Sequence, residues 1–125
     1  MNIVQNILSQ INEFIDNDHL VYFIMEPSGY PYFLQFAKVG ENYILDIPAS
    51  NFFEDTMYPR MQDLLMNKFR KEIQTVNDAQ KKDRLATYQV RFSSKEINKM
   101  CYVAREIFED CLGVSESANL AISMR

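Results

Sequence analysis

The sequence predicts an α+β domain, an antiparallel sheet with helices packed on one face, in the order α-β-β-β-α-β-α. Three observations carry that prediction. Between residues 20 and 47 lie three runs rich in branched and aromatic residues, joined by connections too short for a crossover, so they read as hairpins. Segments with apolar residues at helical spacing precede this group, follow it and close the chain. Strands grouped in this way, instead of alternating singly with helices, exclude a doubly wound parallel fold.

The first helix is carried by Ile3, Val4, Ile7, Leu8, Ile11, Phe14 and Ile15 at helical spacing, with Asn2 as its cap and Asn17-Asp18 as its stop. LVYFIM, residues 20–25, is the first strand, closed by Glu26-Pro27-Ser28-Gly29, where Pro27 pre-sets the backbone of a turn. The second strand runs from Tyr30 to about Lys38, and the turn at residues 39–42 leads into YILDI, residues 43–47, which Pro48 ends. Residues 48–59 are the least regular piece, with Ser50 or Asn51 able to cap one helical turn through Asp55. From Pro59 a second helix is expected through Met61, Leu64, Leu65, Phe69, Ile73 and Val76, fading into the polar stretch 77–84. A fourth strand alternates Ala86, Tyr88, Val90 and Phe92 inward with Thr87, Gln89 and Arg91 outward. Ser93 and Glu96 form a capping box that opens the third helix, whose stripe is Ile97, Met100, Cys101, Ala104, Ile107, Phe108, Cys111 and Leu112 and whose stop is Gly113. Residues 1–113 thus read as one domain. Residues 114–125 are a tail, either returning as a short strand through Leu120, Ile122 and Met124 or mobile.

A chain of 125 residues with 47% apolar content, three glycines and four prolines suffices for one core without disulfide or metal. The longest apolar run, Leu20 to Met25, is far too short to span a bilayer, and the opening residues lack the lysines and unbroken apolar core of a secretory peptide. A cytoplasmic protein is expected, with no membrane partner. Cys101 and Cys111 are ten positions apart on one helix, about 15 Å along its axis, too far for a disulfide. They read as reduced thiols acting as small hydrophobes. Residues 1–56 hold eight acids against the single base Lys38, whereas residues 57–125 hold nine acids and twelve bases. The acidic half disfavours nucleic acid and suits a basic protein partner.

Nothing in the chain composes a reactive set. His19 is the only histidine, so a histidine base or nucleophile-histidine pair has to run through it and a two-histidine metal site has no second ligand. Following Asp16 and Asp18, at the junction of a helix and a strand, it reads as a solvated turn residue. The pairs Glu54-Asp55 and Glu109-Asp110 are adjacent on helices and do not face one another. The basic run Lys68, Arg70, Lys71, Lys81, Lys82 and Arg84 is broken by acids and reads as a solvated surface. No catalytic residue, metal or cofactor is expected.

The stretch YPYFLQF, residues 30–36, raises the main functional question. As a strand it directs Tyr32, Leu34 and Phe36 to one face and Phe33 and Gln35 to the other, so both faces are largely apolar. The domain's own helices cover one face. The second is covered by the returning tail, a second subunit or a segment of another protein, unless these aromatics are simply buried within the monomer. The tyrosines at 22, 30, 32 and 43 favour an interface, because tyrosine gives large contact area at low entropic cost. On this reading Tyr32, Leu34 and Phe36 face the partner and Phe33 the core.

The whole pattern resembles the class I type III secretion chaperone fold, and within it the TY-Chap and sensory transduction regulator-type domains. The residues that carry the likeness are the amphipathic opening Ile3 to Ile15, YFLQF at 32–36, YILDI at 43–47 and the closing VAREIFEDCLGV at 103–114. The sequence departs from the better-known chaperones in showing one strand, not a pair, between its second and third helices. The resemblance implies a non-enzymatic homodimer that holds an extended segment of a client protein. It implies Ile7, Ile11, Tyr22, Tyr32, Leu34 and Phe36 as the client-facing positions. An immunity protein or antitoxin that blocks a basic toxin fits the size and acidity equally well, and the neighbouring genes would separate the two.

Overall fold

The computed structural model describes residues 2–48, 57–77 and 85–125. Helices α1 (Ile3–Leu8) and α2 (Ile11–Asp16) precede three strands, β1 (Tyr22–Pro27), β2 (Leu34–Val39) and β3 (Asn42–Pro48). Then come α3 (Met57–Asp63), continued by a π-helical turn Leu64–Lys68, and strands β4 (Gln74–Asn77) and β5 (Leu85–Ser93). A 3₁₀ turn, Ser94–Glu96, leads into α4 (Ile97–Glu106), which is continued by a second π-helical turn, Ile107–Cys111, and the chain closes with β6 (Leu120–Met124). The strands form one antiparallel sheet in the order β4-β5-β3-β2-β1-β6, and the helices pack on one of its faces around a single core. The α+β architecture is the expected one, and the tail returns as the edge strand β6 beside β1.

Three elements differ from the sequence reading. The second strand starts only at Leu34, so Tyr30 to Phe33 lie outside it. The opening helix is broken at Ser9-Gln10. Ser9 Oγ donates to the Asn6 carbonyl at 2.8 Å, a local bond that competes with the helical ladder, and the Gln10 backbone leaves the helical region at φ −125°. The apolar stripe survives, since Ile3, Ile7, Ile11 and Phe14 all face the core. The expected second helix ends at Lys68, and residues Gln74–Asn77 form β4, so among the described residues two strands lie between α3 and α4 where the sequence suggested one. The helical turn expected from Ser50 or Asn51 through Asp55 lies outside the described residues, as do residues 78–84 and the side chains of Val76 and Ala86.

The local signals at the helix starts act as read. Asn2 and Gln5 cap each other reciprocally at 2.8 and 3.0 Å, and Ser93 N–H donates to Glu96 Oε1 at 3.0 Å. In the hairpin from β2 to β3, Gly40 (φ 61°) takes the first central position of a two-residue turn, where a type II′ geometry requires glycine. Lys38, the single base of the first 56 residues, closes α2 from β2. Its ammonium donates to the carbonyls of Phe14 and Asn17 and lies 4.6 Å from the Phe14 ring centre. A cation there meets the negative end of the helix.

Candidate partner-binding surface

Register settles which side chains share a face. Phe23, Phe36, Leu45 and Val90 stand in one row across β1, β2, β3 and β5, all buried under the helices. Phe23 and Phe36 stack at 5.7 Å between ring centres. The outer face is the alternate row. There Tyr22, Ala37, Ile44 and Arg91 lie side by side, and next to them Ile24, Gln35, Asp46, Gln89 and Gln74.

Four of the six positions expected to face a client lie in the core. Ile7, Ile11, Leu34 and Phe36 are buried among the helices, and a side chain packed on all sides offers no surface to a partner. The reason for Leu34 and Phe36 is their register: they pair with Met25 and Phe23, whose side chains also point under the helices. The face assignment of YPYFLQF is thereby inverted, since the helix-covered face is that of Leu34 and Phe36, while Phe33 is only partly buried. Tyr32 is half-buried against the core and stacks on Tyr30 at 6.3 Å, and the Tyr30 hydroxyl in turn accepts the Ser115 N–H at 3.1 Å. Tyr22 is 43% exposed on the outer face, where Val39 is 48% exposed and Ile24 is half-buried.

At the centre of that face two buried apolar residues, Ala37 and Ile44, each 6% exposed, lie beside a polar row. Asp46, only 7% exposed, accepts from the side-chain amides of Gln35 at 3.0 Å and Gln89 at 2.7 Å, so a carboxylate is held between two amides on neighbouring strands. The outer surface therefore combines an apolar margin, Tyr22, Ile24 and Val39, with a row of amides. The sequence reading passed over this clamp. Its signal is Gln35, the one amide side chain in YPYFLQF, two strands from Gln89 across β3.

A second charged cluster sits where α3 and α4 end side by side. Glu106 accepts from Lys68 Nζ and from Arg105 Nη2, each at 2.7 Å. A hydrogen bond from Asp110, helped by these two cations and opposed by burial, holds the Glu106 carboxyl at about 2. The same bond to Glu106 pushes the Asp110 carboxyl up. Beside them a groove of about 270 Å³ is lined by Arg60, Asp63, Leu64, Asn67, Lys68, Asp110 and Cys111.

The remaining candidates for chemistry stand apart. His19 is exposed in the turn after α2, its backbone N–H donating to Asn17 Oδ1 at 3.0 Å. Cys101 and Cys111 are free and buried, and burial pushes both thiols up to about 12, which leaves them unreactive as nucleophiles. Among the described residues no group of three histidine, cysteine, aspartate or glutamate side chains is placed to hold a metal ion, and no helix is long and apolar enough to cross a membrane. Fold and surface define an α+β protein with a six-stranded antiparallel sheet, helices on one side and a mixed apolar and amide surface on the other. No known family, curated protein or solved structure matches the chain.

Proposed function

We propose that the protein is a non-enzymatic, cytoplasmic protein-binding module of the secretion-chaperone-like kind, a homodimer that holds an extended segment of a client protein. The observation that carries this reading is the outer sheet face. Tyr22 and Val39 stand exposed there beside half-buried Ile24, and the amides of Gln35, Gln89 and Gln74 run across the strands next to them. An extended segment presents apolar side chains and unpaired backbone groups together, and such a surface meets both. The strand pair β4 and β5 between α3 and α4 brings the element order nearer that of the secretion chaperones. The acidic balance of residues 1–56 favours a basic client. The same acidity fits a second reading, an immunity protein or antitoxin against a basic toxin.

The test is a pull-down from the native cell with wild type and Tyr22→Asp, followed by mass spectrometry and by melting of each protein. The expected outcome is an unchanged melt for Tyr22→Asp and loss of the captured partner. Equal capture by both proteins removes the outer face from the reading. A partner whose enzymatic activity the protein inhibits selects the toxin-blocking alternative.

A further inference from the structure

We propose that a second copy of this chain pairs antiparallel with strand β6 about a two-fold axis at Ile122, joining two sheets into one. This gives the homodimer proposed above its surface and rests on that reading. Among the described residues β6 is the last strand of the sheet, with β1 on one side only. Its bonds to the β1 side run through odd-numbered residues: Asn119 O accepts from Ser28 N–H at 2.8 Å, and Arg125 exchanges bonds with Tyr22 at 3.0 and 2.9 Å. Backbone groups alternate along an antiparallel strand, so the N–H and C=O of Leu120, Ile122 and Met124 point to the free edge. Pro27, which has no N–H to give, sits opposite Leu120, as this alternation allows.

The edge carries none of the usual defences. LAISM has no charge, no proline and an unbroken register with β1. With the axis at Ile122, that residue faces its own copy and Leu120 faces the copy's Met124, so every outward backbone group of β6 finds a complement. A two-fold contact demands this of a strand paired with itself. The side chains agree. On the helix side Ile122 and Met124 are half-buried, and Leu8 of α1, which packs beside β6, is 39% exposed, so pairing closes an apolar flank. On the outer side Ala121 would stand opposite Ser123 of the copy, two small residues, and Glu26 lies beside Ala121 with no like charge across from it. A stable interface buries about 800 Å² per partner. A five-residue edge with one flanking helix lies at the small end of that scale, so exchange in the micromolar range is expected.

Sedimentation across the micromolar range should show the mass rising from 14.7 kDa toward twice that value. Ile122→Pro deletes an N–H that β1 does not use and should keep the chain monomeric with its fold intact. Ile122→Cys sets a thiol opposite its copy at a Cα separation of about 5.5 Å, within disulfide range. It should cross-link on oxidation, whereas Ser94→Cys, on the exposed turn after β5, should not. If Ile122→Pro fails to fold, the cross-link decides. A dimer that survives Ile122→Pro, or one that Ile122→Cys does not cross-link, overturns the β6 edge alone. A constant 14.7 kDa overturns the homodimer reading as well.

Discussion

Glu106 and Asp110 are one turn apart on the closing helix, and their opposite shifts give the molecule a particular acid response. The Glu106 carboxyl is held below its ordinary 4.5, so the stability it contributes is complete above that value and is lost as pH falls toward about 2. Asp110 is raised above its ordinary 3.8, so its contribution is complete below that value and is lost as pH rises through its higher folded value. Urea midpoints measured from about pH 2 to 7 separate the two. Glu106→Gln should flatten the fall between about 4.5 and 2 and cost about 1–2 kcal/mol at neutral pH, since Lys68, one of its partners, is half exposed. Asp110→Asn still offers a donor to Glu106 but cannot ionise, and should be at least as stable as wild type at pH 7. Parallel profiles for all three proteins would show that the cluster does not couple to folding.

At the scale of elements, the α3 and α4 segments end in the same way. Each closes in a π-helical turn, with Phe69 N–H donating to Leu64 O at 3.2 Å and Leu112 N–H to Ile107 O at 3.0 Å. Each then passes through one left-handed residue, Arg70 at φ 55° and Gly113 at φ 68°. A further bond reaches back six residues, from Lys71 to Leu65 and from Val114 to Phe108. The twin ends explain what could be read from sequence. Gly113 is the residue a helix stop favours, and the third helix is bounded correctly by it. Arg70 carries no such signal, while Ile73 and Val76 keep a helical spacing by coincidence, so the same stop was missed and β4 with it. The sheet itself was legible through its alternation and hairpin turns. The break at Ser9-Gln10 was not, because a side-chain bond to the backbone leaves the apolar period intact. A non-glycine residue in the left-handed region costs about 1–2 kcal/mol, partly offset by the entropy glycine adds to the unfolded chain. Arg70→Gly should therefore raise stability by about 0.5–1 kcal/mol in chemical denaturation. Gly113→Ala should lower it by about 1 kcal/mol through the backbone alone, since an added Cβ there meets nothing within 4 Å. A destabilised Arg70→Gly would mean that the arginine side chain contributes more than its backbone costs.

For the molecule as a whole, the sheet separates two surfaces that the sequence alone shows as equally apolar. Alternation places Leu34 with Phe36 and apart from Gln35, but it cannot say which side the helices will take. That choice depends on Met25, Phe23 and the stripes of four helical segments closing together over one face. The consequence for function is that Tyr22, not Leu34 and Phe36, belongs to the side left for a partner. Truncation to alanine should rank the positions. Phe36→Ala opens a cavity in the core and should cost about 3–5 kcal/mol. Such a loss is a large part of the roughly 5–15 kcal/mol that holds a domain together. Asp46→Ala removes the acceptor shared by Gln35 and Gln89, whose amides are half-buried and can turn partly to water, so about 1–3 kcal/mol is expected. Tyr22→Ala, at an exposed position, should stay within about 0.5 kcal/mol. Partner capture should fall in the opposite sense, most for Tyr22→Ala among the variants that fold. Should Tyr22→Ala melt as early as Phe36→Ala, the outer face would be a second core, and the sheet would have no surface left to offer.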